Sequence, residues 1–115
     1  KIHCHISDED IENASINKGL TRAELSMEKA VNNNTNIGIV AVGNAPTALL
    51  KVVELIEKGA LEPLLVIGVP VGFVKAKESK ELLYNSAYPF ITCLGTKGGS
   101  SVAAAIVNAI LKLSA

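Results

Sequence analysis

Tryptophan is absent from this chain, and aromatic residues make up only 3% of it. A core of stacked rings is therefore excluded. Packing must come from Val, Ile, Leu and Ala, within an apolar share of 49%. That mix suits a parallel sheet covered by helices on both faces. Two cysteines do not make a disulfide framework, which points to the reducing cytoplasm. Cys4 and Cys93 each sit in an apolar segment, where free Cys packs as a small buried hydrophobe. Neither sign of charge is in excess: eleven basic residues balance eleven acidic ones. The electrostatic footprint of a nucleic-acid or anionic-membrane binder is missing. No apolar run approaches the roughly 20 residues of a membrane span, and no signal-peptide pattern opens the chain. The 115 residues are the size of one domain, 1–115.

What is present is a repeated junction. Three times an apolar, β-branched stretch runs into a glycine-bearing turn and then a helical pattern: 37–42 into GNAPTALL, 64–69 into PVGFVKAKESKE, and 90–94 into GTKGGSS. With a short strand at 2–6, this predicts a three-layer, open, mostly parallel α/β sheet of Rossmann type, helices on both faces. Such sheets bind ligands at the carboxyl edge of their strands. Helices that start there direct unpaired N–H groups and a partial positive charge at the ligand. One site built from three loops, favouring an anion, is the expectation.

Between these junctions, Ser7 and Asp8 can cap a helix through about Lys18, which Gly19 ends. Thr21-Arg22-Ala23-Glu24 is a capping box opening a second helix through Val31, with Leu20, Ala23, Met27, Ala30 and Val31 as its buried stripe. A third helix, 45–58, carries Leu49, Val52, Val53 and Ile56 inward and stops at Gly59, with Pro46 in its first turn. A polar helix follows at 75–86. The last helix, from about Gly99 to Leu113, is apolar almost all round and should be buried on two sides.

His3 and His5 share one strand face, yet no third ligand stands at zinc-like spacing, so partial burial or an interface is the simpler reading. Gly43-Asn44-Ala45-Pro46-Thr47 reads as a strand-to-helix turn with Asn44 as cap and Thr47 adding a second hydroxyl. Thr96-Lys97-Gly98-Gly99-Ser100-Ser101 lacks P-loop order and fits a generic anion cradle better than an ATP site. Arg22 opposes the dipole at its helix start, a placement that suits a ligand site.

Taken together, TRAELSMEKA (21–30), AVGNAPTALLKVVELIEKG (41–59), LVIGVPVGFVKAKESKELL (65–83) and ITCLGTKGGSSVAAAIVNAILKL (91–113) resemble the precorrin-8X (cobalt-precorrin-8) methylmutases of cobalamin biosynthesis. The resemblance implies an isomerase that moves a methyl group from C-11 to C-12 of a tetrapyrrole, giving hydrogenobyrinate or cobyrinate. It also implies an open α/β fold and a homodimer with substrate near the subunit interface. No metal or organic cofactor is implied. Substrate contacts are expected from Arg22, Gly43, Asn44, Thr47, Gly72, Lys97, Gly98, Gly99 and Ser100.

Two departures stand out. The family's acid is a histidine in an N-terminal segment upstream of every string matched here, so His3 and His5 do not inherit its role and no catalytic residue is assigned. Thr96 stands where Arg is more usual. With Lys1 as the first residue and a strand beginning at once, the chain is expected to be the C-terminal portion of a longer methylmutase domain. The rival reading is a non-catalytic relative that binds a tetrapyrrole or another polyanion.

Overall fold

The computed structural model describes residues 4, 8–18, 21–33, 37–72, 75–86, 89–92 and 97–114. Elements follow in the order α1 (Glu9–Lys18), α2 (Arg22–Asn33), β1 (Ile39–Val42), α3 (Pro46–Glu57), β2 (Leu65–Gly68), α4 (Ala76–Tyr84), β3 (Phe90–Thr92) and α5 (Ser100–Ser114). The three strands form one parallel sheet in the order β1-β2-β3, with Val66 opposite both Val40 and Phe90. Three of the expected strands and all five expected helices are thus present. Apart from Cys4, the strand expected at 2–6 lies outside the described residues, as do the helix stop at Gly19, Leu20 and the end of the 90–94 strand.

Alternation along the strands divides the core in two. Val40, Val42 and Val66 face Ala48, Leu49 and Val52 of α3, Leu83 of α4 and the half-buried Ala23, Met27 and Val31 of α2. Leu65, Ile67 and Val69 face Ala103, Ile106, Val107 and Ile110 of α5. Helices therefore cover both faces, as the aliphatic composition predicts. Leu49, Val52, Val66 and Ile67 are fully buried. Each such side chain is worth about 1.5–3 kcal/mol by transfer.

Gly68 shows how close the layers come. A Cβ there would stand 2.6 Å from Leu83 Cδ2 and 3.0 Å from Leu49 Cδ2. The central strand is bare at that point so that leucines of two helices can rest on it.

Local signals act as expected at several ends. Thr21 and Glu24 close a capping box: Glu24 N–H donates to Thr21 Oγ1 at 3.1 Å, and Thr21 N–H donates to Glu24 Oε1 at 3.3 Å. Gly59, at φ +76°, ends α3 in a conformation that costs glycine little. The α1–α2 pair is clamped by Lys29, whose ammonium lies 2.7 Å from Asp8 and 2.9 Å from Asp10.

Other expectations need correction. The stripe of α2 (Ala23, Met27, Ala30, Val31) is only half-buried, while Leu25 and Ser26 are buried. The cause is that α1 packs on α2 and shares its second face. Helix α5 is buried on one side only. Val102, Leu111 and Leu113 are exposed, since α5 packs mainly on β1 and β2 among the described elements. The polar helix α4 hides Ala76, Ser79, Lys80 and Leu83, a stripe at positions i, i+3, i+4 and i+7 that carries a lysine inward.

Candidate functional site

The carboxyl ends of the strands are tied into one edge by backbone hydrogen bonds. Val69 N–H donates to the Val42 carbonyl at 2.9 Å, and Gly99 N–H donates to the Val69 carbonyl at 2.9 Å. These two bonds draw the β1, β2 and β3 loops together. Gly43 and Gly98 permit the approach. A Cβ on Gly43 would lie 2.6 Å from Ser100 Cα, and one on Gly98 would lie 2.2 Å from the Val69 carbonyl oxygen. These glycines therefore bring chain against chain.

Beside this junction is a cleft of about 320 Å³, lined by Ala23, Ser26 and Met27 of α2, Ala41 and Val42 of β1, the turn Gly43-Asn44-Ala45, Ala48 of α3, Ser100 of α5, and Cys4. The first backbone bond of α5 runs from Ala103 N–H to the Gly99 carbonyl at 3.0 Å. The N–H groups of Ser100, Ser101 and Val102 precede it and so have no partner within the helix. With the helix dipole they make the Ser100 side of the cleft favourable to an anion. Helix α3 offers less, because Pro46 in its first turn has no N–H.

The expected site residues divide by place. Gly43, Asn44 and Ser100 line the cleft. Gly99 adjoins it through its contact with Gly43. Arg22 is exposed at the first position of α2, next in sequence to the lining residue Ala23, and Lys97 is exposed at the start of the loop into α5. Thr47 is engaged elsewhere, 3.1 Å from Thr21 Oγ1. Gly98 packs on Val69 and Pro70, and Gly72, at φ +128°, has open space around it. His3, His5, Cys93 and Thr96 lie outside the described residues.

Two side chains depart from expectation. Asn44 does not cap α3. The cap position is Ala45, extended at φ −90° and ψ 110° with no side-chain hydrogen bond, and its carbonyl accepts from Ala48 N–H at 3.1 Å. A proline at the helix start leaves fewer N–H groups to cap, so Asn44 stays exposed at the cleft. Cys4 is exposed where burial was expected, because it opens onto the cleft and not under a helix. Reasoning from sequence missed Ala23, Ser26, Met27 and Lys80. For the first three, a signal existed in their i, i+3, i+4 spacing, which begins within the capping box.

No group of three or more His, Cys, Asp or Glu side chains is placed to hold a metal ion among the described residues. Nor, among them, is any helix long and apolar enough to cross a membrane.

Comparison with known proteins points one way. The model of the family described as CbiC, precorrin-8X methylmutase, matches residues 1–113. A cobalt-precorrin-8 methylmutase of Priestia megaterium is 51% identical over 96% of this chain and 48% of its own length. Its counterpart in Leptospira interrogans is 47% identical over 99% of this chain and 55% of its own length. A crystal structure of precorrin-8x methyl mutase from Thermus thermophilus superposes with a TM-score of 0.81 at 38% identity, covering 94% of this chain and 52% of the other. A structure described as a precorrin-8X methylmutase related protein gives a TM-score of 0.89 at 32% identity over 98% of this chain and 59% of its own. The chain spans about half the length of the curated relatives it matches. The sequence and fold matches each cover nearly the whole of this chain, and the chain belongs to the precorrin-8X methylmutase family.

Proposed function

We propose that the chain binds a precorrin-8X-type tetrapyrrole in the cleft at the β1 carboxyl end and forms part of a methylmutase. That enzyme moves a methyl group from C-11 to C-12 of the macrocycle. The observation that carries this reading is the family match over 1–113, which includes every residue lining the cleft. Peripheral carboxylates of the macrocycle suit the N-terminus of α5, with Arg22 and Lys97 as the cations that meet them. Asn44 and Ser100 supply polar contacts, and the alanines of α2 and α3 supply an apolar wall.

The described lining residues include no carboxylate, imidazole or ammonium group. A positioned acid typically contributes about 10²–10⁴-fold to a proton-assisted step. With the family's acid expected upstream of the strings matched here, these 115 residues by themselves should hold the macrocycle without rearranging it at an appreciable rate. Incubation with precorrin-8X, followed through the absorption spectrum, tests both parts. Spectral perturbation by binding without product formation is expected. Turnover comparable to a full-length methylmutase would refute the binding-only part, and absence of binding would refute the site.

A second copy of the chain covers the outer face of α5 in this reading, since Val102, Leu111 and Leu113 are exposed there. Sedimentation equilibrium decides it: a dimer that Leu111→Lys dissociates is expected, and a monomer at all concentrations rejects it. The proposed compartment is the cytoplasm.

A further inference from the structure

Lys80 is the largest of the fully buried side chains among the described residues, with 0% of its surface exposed. It reaches the interior from α4 and donates from Nζ to the carbonyl oxygen of Lys97, seventeen residues away. Burying an ammonium costs several kcal/mol unless hydrogen bonds recover it, so the bond constrains the backbone it reaches. The short loop 97–99 is held at both ends. Its first carbonyl accepts from Lys80, and its last N–H donates to the Val69 carbonyl at 2.9 Å. Between them Gly98 has no room for a side chain, with a Cβ lying 2.2 Å from the Val69 oxygen and 3.0 Å from the Pro70 oxygen. This pinned loop leads directly into Ser100, which lines the cleft and opens α5.

We propose that Lys80 is a positioning residue for the anion-binding edge of the cleft: its buried side chain fixes the 97–99 backbone that leads into the N-terminus of α5. It contacts no ligand itself. A hydrogen bond donated to a peptide carbonyl polarises that peptide and strengthens the N–H on its other side, here that of Gly98. The inference rests on the tetrapyrrole reading and adds a residue outside the cleft to it.

The test uses the chain with Lys80→Met and Lys80→Arg. Each is titrated with hydrogenobyrinic acid, a free polycarboxylate, and with its methyl ester. Amide hydrogen exchange over 98–102 is measured without ligand. Lys80→Met should stay folded with an undiminished melting temperature, since apolar replacement of a buried charge is often neutral or stabilising. Its dissociation constant for the acid should rise about tenfold or more, that for the ester should not change, and the 98–102 amides should exchange faster. Lys80→Arg should recover most of the affinity. If Lys80→Met does not fold, Lys80→Gln, which is polar but one bond shorter and so draws back from the Lys97 carbonyl, takes its place in the same measurements.

Unchanged affinity for the acid, or unchanged exchange, overturns the proposal. An equal loss for acid and ester that follows a fall in melting temperature also overturns it, by reducing Lys80 to packing. Failure of the unsubstituted chain to bind either compound refutes the tetrapyrrole reading instead, and the exchange comparison then decides alone whether Lys80 fixes the loop.

Discussion

The hydroxyls of Thr21 and Thr47 lie 3.1 Å apart and join the starts of α2 and α3. The direction of that bond follows from the capping box. Thr21 gives its single proton to Glu24 Oε1 at 3.1 Å and accepts from Glu24 N–H, so Thr47 must donate to Thr21. Thr47 can thus offer a ligand only a lone pair. The hydroxyl that looks surplus in the GNAPT turn is used to align two helices beside the cleft.

Replacing Thr47 by Val should cost about 0.5–1.5 kcal/mol, the usual net worth of one such bond. Thr21→Ala should cost about 1 kcal/mol through the lost cap. Urea denaturation of the double variant should show less than the sum, because both changes remove the same bond. Full additivity would show that the two hydroxyls are not coupled.

Gly43→Ala should destabilise the fold by about 1–3 kcal/mol, since its Cβ meets Ser100 Cα at 2.6 Å and Ala103 Cβ at 3.0 Å. Helix α5 must move to accommodate it, which also reshapes the cleft. A melting temperature equal to that of the unsubstituted chain would mean that α5 is not seated there.

Arg22→Ala should leave stability nearly unchanged, because the side chain is exposed, and should weaken tetrapyrrole binding by about 1–3 kcal/mol. The loss should shrink as salt rises. Titration at two ionic strengths checks it, and equal affinities at low salt would remove Arg22 from the site.

Acid should loosen the outer face of α3. Lys51 at 2.8 Å and Lys58 at 2.9 Å hold the Glu54 carboxyl at about 2, below its ordinary 4.5. Its folded value is depressed, so its contribution is present above about 4.5 and is lost as pH falls towards about 2. Asp10 follows the same sign, lowered chiefly by its hydrogen bond to Lys29. Denaturation midpoints measured between these pH values should fall less steeply for Glu54→Gln than for the unsubstituted chain. Parallel profiles would exclude Glu54 as a contributor.

Much of the fold is local and hence legible in sequence. The capping box at Thr21–Glu24, the Leu49-Val52-Val53 spacing and the stop at Gly59 each act within a few residues, where propensity and periodicity decide. The strand-to-turn junctions likewise placed Gly43, Asn44 and Ser100 at one sheet edge, because parallel strands share their carboxyl ends. Only the tertiary structure decided what those groups touch. Gly98 lies against the Val69 carbonyl, Thr47 turns to Thr21, and Lys80 passes from a polar helix into the interior to hold the Lys97 carbonyl. Each of these contacts joins residues at least seventeen positions apart. Their energy comes from shape and hydrogen-bond geometry between layers, which no single segment contains.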